Sequence, residues 1–73
     1  MEALSKNLLT LRKERGLSRE AVARALDISS MTYQRYEKDL REPTASLMVK
    51  LADFYGVTLD QLTGRVPLPD QEA

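Results

Sequence analysis

A chain of 73 residues with no cysteine and no histidine has room for one small core and lacks disulfides, thiolate chemistry, and the commonest zinc ligands and general bases. Catalysis would rest on carboxylates, lysine or tyrosine alone, so an enzyme is not expected, nor a metal or other cofactor. Formal net charge is zero, but residues 1–42 carry nine Lys/Arg against seven Asp/Glu, and residues 43–73 carry two against four, which favours a local basic face over a strong overall field.

Helical periodicity dominates, and no strand-like alternation of useful length occurs. Leu4, Leu8 and Leu11 fall on one face of a first helix, which Arg15-Gly16 closes because glycine adopts a left-handed cap at little steric cost. Ser18 is a suitable N-cap for a short second helix, with Val22, Ala23 and Leu26 turned inward. Asp27 stands where a left-handed turn is needed, a conformation aspartate tolerates better than most residues. Ile28 follows as an apolar plug and Ser29 as another cap, so a third helix runs over about Ser30–Lys38. Pro43 and Thr44 introduce a fourth helix, whose apolar face is Met48, Leu51, Ala52 and Tyr55 and whose end is Gly56. Thr58-Leu59-Asp60-Gln61 fits a capping box opening a fifth, short helix that Gly64 ends. Pro67 and Pro69 forbid a regular element beyond it. The expected organisation is all-α: a five-helix domain over residues 1–64 and a flexible tail or dimerisation arm over 65–73, in which Val66 and Leu68, with Leu62, extend an apolar patch.

No segment reaches the ~18 apolar residues of a membrane span, and Met1–Lys6 lacks the basic start and apolar run of a signal peptide. A cytoplasmic protein is expected, without a membrane partner or an evident small-molecule site.

The informative unit is Ser18–Lys38, two short helices joined by a turn of about four residues. A turn that brief makes the helices cross steeply and leaves the second presented on the surface, in a form that a DNA major groove admits. On a helical wheel Ser30, Met31, Gln34, Arg35 and Lys38 share one side, and Thr32, Tyr33, Tyr36 and Glu37 the other. Arg35 has the planar fork that pairs with guanine O6 and N7; Gln34 suits adenine, Met31 a thymine methyl, and Ser30 a base or a phosphate. As isolated side chains, Arg35 and Gln34 fit plain solvation better than base reading. Tyr33 and Tyr36 are better placed for the core than for stacking on bases, with hydroxyls reaching toward the rim or a phosphate.

Three blocks carry a family resemblance. They are the run from Leu11 to Ala23 (LRKERGLSREAVA), Arg35 to Thr44 (RYEKDLREPT), and Leu51 to Asp60 (LADFYGVTLD). In this order and spacing, over about residues 6–64, the chain resembles the phage repressor and Cro-type helix-turn-helix family of XRE-like transcriptional regulators. The resemblance implies a compact five-helix fold, sequence-specific binding of double-stranded DNA, and a homodimer on a palindromic operator. It further implies a largely buried ion pair between Arg12 and Glu37. Where the family often has glutamine after the second helix's cap, this chain has Arg19; where it often has Asn-Gly after the third helix, this chain has Lys38-Asp39. Ser18, Arg19, Lys38 and Arg41 are the expected phosphate contacts. The alternative is a protein-interaction module of the same fold, antitoxin- or anti-repressor-like, with weak or no DNA binding.

Overall fold

The structure, a computed structural model, describes residues 1–69. It contains α1 (Glu2–Glu14), α2 (Arg19–Leu26), α3 (Ser30–Glu37), α4 (Ala45–Tyr55) and α5 (Leu59–Thr63), with no strand among the described residues. Each junction is closed by local chemistry. Ser18, Ser29, Thr44 and Thr58 each accept a bond from a backbone amide three residues on, satisfying donors that a helix start leaves unpaired. Thr58 and Gln61 complete the capping box, with bonds of 3.0 and 2.9 Å.

The helix ends follow a second rule. Asp27 takes the left-handed conformation at φ 59°, and Ile28 N–H then donates back to the Ala23 carbonyl at 3.0 Å, turning the chain sharply between α2 and α3. The same device ends α3. Asp39, at φ 58°, occupies the position that glycine usually fills, and Leu40 N–H reaches the Arg35 carbonyl at 2.9 Å. Helix α3 is accordingly one residue shorter than its sequence suggests, with Lys38 as its cap.

The apolar stripes meet in one core. Leu4, Leu8 and Leu11 of α1 join Val22, Ala23 and Leu26 of α2, Tyr33 and Tyr36 of α3, Leu51, Ala52 and Tyr55 of α4, and Leu62 of α5. Two polar tethers fix α1 against distant elements. Ser5 Oγ donates to the Tyr36 carbonyl at 2.7 Å, anchoring the last turn of α3. Asn7 Nδ2 donates to the Gln61 and Leu62 carbonyls, both at 3.0 Å, supplying partners to carbonyls that the end of α5 leaves open. Gly64 lies so near α1 that an added Cβ would stand 2.6 Å from Ala3 Cβ.

The segment after α5 differs from a loose arm as far as it is described. Leu68 is buried and belongs to the core: the two prolines keep the chain out of an α-helix there, yet they leave the leucine free to pack. Leu62 is likewise fully buried, so neither extends a surface patch; among these apolar residues the exposed ones are Leu59 and Val66. The part of the expected arm over 70–73 lies outside the described residues. No helix among the described residues is long and apolar enough to cross a membrane.

Candidate nucleic-acid interface

Helix α3 is held from beneath and bare above. Tyr33, Tyr36 and Glu37 are buried, whereas Ser30, Met31, Arg35 and Lys38 are exposed and Gln34 is half-buried. Thr32, on the inward side of the wheel, is only half-buried, because its hydroxyl accepts from Ser29 Oγ at 2.8 Å at the helix start. Met31 shows 60% of its surface, a large apolar exposure at the end of the helix nearest the turn.

Beneath α3 lies an ionic cluster. Arg12 Nε donates to Glu37 Oε2 at 2.6 Å and Arg12 Nη2 to Oε1 at 3.1 Å, a two-point pairing of guanidinium with carboxylate. The Glu37 side chain is 1% exposed and that of Arg12 11%. Arg12 Nη1 donates to the Leu17 carbonyl at 2.9 Å. The arrangement joins α1, the turn before α2, and the last residue of α3. Burial by itself pushes the Glu37 carboxyl up, but the bonds it accepts, from Arg12 above all, outweigh that and hold it below the ordinary carboxylate range. The Arg12 guanidinium is held correspondingly more firmly charged by its bond to Glu37.

Arg19, the first residue of α2, joins the same carboxylate. Its Nε donates to Glu37 Oε1 at 3.1 Å, and its side chain is 38% exposed. The residue type of Arg19 suggests a phosphate contact alone; its link to a residue 18 positions away has no signature in spacing. Ser18, Arg19, Ser30 and Gln34, together with Arg12 and Glu20, line an open groove of ≈ 250 Å³ between the starts of α2 and α3. Lys38 and Arg41 are exposed on the stretch following α3. Asp39 and Glu42, their acidic neighbours, accept from the Met1 amine at 2.8 and 2.6 Å.

The Tyr33 hydroxyl does not reach the rim. Tyr33 and Tyr55 share a buried hydrogen bond of 2.6 Å between their hydroxyls, linking α3 to α4, and burial pushes both phenols up. The Tyr55 carbonyl accepts from Arg15 Nη2 at 2.7 Å, and the Arg15 guanidinium lies 5.4 Å from the Tyr55 ring centroid, within cation–π range. Among the described residues no group of acidic side chains is arranged to hold a metal ion.

A family model described as helix-turn-helix matches residues 8–62. Among curated proteins, the chain is similar to the cryptic phage CTXphi transcriptional repressor RstR of Vibrio cholerae, 40% identical over 58 residues that make up 80% of this chain and 52% of that protein. It is also similar to two Bacillus subtilis (strain 168) proteins named HTH-type transcriptional regulators. ImmR is 32% identical over 63 residues, 86% of this chain and 50% of ImmR, and AnsR is 38% identical over 58 residues, 80% of this chain and 50% of AnsR. The chain spans about half the length of these curated relatives. No solved structure matches it at a significant level.

Proposed function

Because the chain belongs to the XRE-type helix-turn-helix family, we propose that it binds double-stranded DNA sequence-specifically as a transcriptional regulator, acting as a repressor, with α3 in the major groove. The observation that carries this reading is the exposure of Arg35 on a helix whose opposite side is locked down by Tyr33, Tyr36 and Glu37. A groove-reading helix must be rigid in register and open along one side, and α3 is both. In this reading Arg35 pairs with a guanine, Gln34 and Ser30 address neighbouring base edges, and Met31 meets a thymine methyl. Ser18, Arg19, Lys38 and Arg41 bear on the two flanking phosphate strands, which positions the helix without specifying sequence.

One eight-residue helix reads only a few base pairs. Regulation at a defined site therefore favours a two-fold homodimer, with α3 helices about 34 Å apart along the duplex. The test is selection of bound sites from a random duplex pool. Enrichment of two inverted half-sites with centres one helical turn apart is expected; a bound pool of unchanged sequence would remove the sequence-reading role.

A second reading, a protein-binding module of the same fold, is favoured by the exposed apolar side chains of Met31 and Leu40, 60% and 71% accessible. Titration with random duplex separates the two. A DNA-binding domain keeps non-specific affinity, with Kd of ~10⁻⁴–10⁻⁶ M at physiological salt, and an interaction module would show none.

A further inference from the structure

Glu37 has more partners than the joining of α1 to α3 requires. Arg12 already engages both of its oxygens and spends every guanidinium nitrogen on protein acceptors. Arg19 is different. It commits only Nε to Glu37 Oε1, and its two outer nitrogens donate to no acceptor among the described residues. With one edge of the guanidinium fixed and the rest open, Arg19 lines the groove shared with Ser18, Glu20, Ser30 and Gln34.

Resting on the DNA-binding reading above, we propose that Glu37 is a positioning residue for DNA: it aims the Arg19 guanidinium so that its outer nitrogens engage one backbone phosphate in this groove. Charge alone does not make the groove attractive, since Arg12 and Arg19 in its lining are offset by Glu20 beside them and by the buried Glu37 to which both donate. Any affinity for a phosphate must then come from donors held in the right orientation. A guanidinium is suited to that, because its planar fork matches a phosphate at two points while a third N–H remains for Glu37. Lysine supplies the charge but is a compact head on a flexible stem, without the fork.

The placement has a consequence for reading. Arg19 opens α2 and Glu37 closes α3, so the carboxylate links the phosphate grip directly to the helix that carries Arg35. Two fixed points on α3, one at the backbone and one at a base edge, set its register along the groove.

The test uses the whole chain and a short random-sequence duplex, since phosphate contacts are independent of sequence. Binding is titrated over a range of salt for the parent, Arg19→Lys and Arg19→Ala, each confirmed folded by circular dichroism. Arg19→Lys is expected to bind about tenfold more weakly with the parent's salt slope, because the charge is kept and the aim is lost. Arg19→Ala should be weaker still, with a slope shallower by about 0.9. In a Glu37→Gln background, kept at a temperature where it is folded, the same lysine exchange should cost no more than about threefold, because the one acceptor oxygen that remains is claimed by the more deeply buried Arg12 and no longer aims Arg19.

Arg19→Lys binding as tightly as the parent overturns the proposal, as does Arg19→Ala with unchanged affinity, which would leave Arg19 a purely internal partner of Glu37. An undiminished lysine penalty in the Glu37→Gln background would overturn Glu37's part. Should Glu37→Gln not fold, Glu37→Asp takes its place as the background: the shorter side chain draws the carboxylate back from Arg19, and an undiminished lysine penalty there overturns Glu37's part in the same way. A parent that fails to bind duplex at low salt would overturn the DNA-binding reading and this inference together, which distinguishes that failure from the others.

Discussion

Replacing Glu37 by alanine is the most severe single change the structure offers outside the apolar core. The side chain is 1% exposed, and it is the acceptor for Arg12 Nε, Arg12 Nη2 and Arg19 Nε. Arg19 can swing into water when the carboxylate goes. Arg12 cannot, being 11% exposed, and is left with the Leu17 carbonyl for company. Breaking a buried pair from one side costs ~3–5 kcal/mol, most of it the penalty of a charge left without a partner. A domain of this length has a total stability of ~4–11 kcal/mol, so the loss ranges from about a quarter of it to all of it. At ~4–8 °C per kcal/mol, Glu37→Ala should lower the melting temperature by more than about 12 °C, read by thermal circular dichroism. Glu37→Gln keeps the volume and one acceptor and should recover part of the loss. The carboxyl also carries a pH signature. Its pKa is lower in the folded chain than its ordinary value of 4.5, so its charge stabilises the fold fully above that value, and the benefit drains away as acid takes the pH down through the folded pKa. The gap in stability between the parent and Glu37→Gln should therefore narrow below about pH 4.5. A Glu37→Ala melt within about two degrees of the parent would refute the account of a buried, stability-bearing pair.

Gly64→Ala should destabilise by ~2–5 kcal/mol, combining a left-handed backbone with overpacking against Ala3, whereas Gly56→Ala, with open space around it, should cost only ~1–2 kcal/mol; urea melts of the pair check this, and equal losses would deny the close approach of α5 to α1. Tyr33→Phe should destabilise by ~1–3 kcal/mol by orphaning the Tyr55 hydroxyl. The double change Tyr33→Phe with Tyr55→Phe should cost less than the two single losses added, since no buried hydroxyl is then stranded. Arg35→Ala should leave affinity for random duplex near the parent's while erasing ~1–3 kcal/mol of discrimination at one base pair of a selected site; a uniform loss over all sequences would move Arg35 to the phosphate set.

What the sequence discloses is chiefly what is local. The N-caps at Ser18, Ser29, Thr44 and Thr58, the left-handed turns at Asp27, Gly56 and Gly64, and the apolar stripes all depend on neighbours within a few residues. A linear reading finds them for that reason. What it misses is carried by polar contacts between distant parts of the chain. Asn7 donates to carbonyls 54 and 55 positions away, Ser5 to one 31 away, and Tyr33 meets a hydroxyl 22 away. Each is an ordinary polar residue in an ordinary helical pattern, and only the packed arrangement gives it a partner. Leu68 differs for another reason. The prolines on either side of it rule out a regular element and so suggest a loose arm, but they permit a buried side chain. Arg19 shows the limit most clearly. Its residue type suits phosphate, and nothing in the spacing reveals that a buried carboxylate already holds one of its nitrogens.

On the DNA-binding reading, a chain of zero net charge must engage a polyanion through separation of its charges, and the structure sets how far that can go. On the proposed DNA side, Glu37 is buried and paired with Arg12, and Asp39 and Glu42 are engaged by the Met1 amine. The side chains left to neutralise phosphates are Arg19, Lys38 and Arg41, with Arg35 directed at a base. About three phosphates per protomer give a slope near −2.7 in log K against log salt. Binding of one protomer should then weaken roughly fortyfold between 50 and 200 mM salt, with about twice that slope for a two-fold pair engaging both half-sites. Arg41→Ala should reduce the slope by about 0.9 and leave sequence preference intact. A slope near zero would mean that these cations do not touch the backbone. A much steeper one would require contacts from exposed cations outside this set, such as Lys13 of α1 or Arg24 of α2.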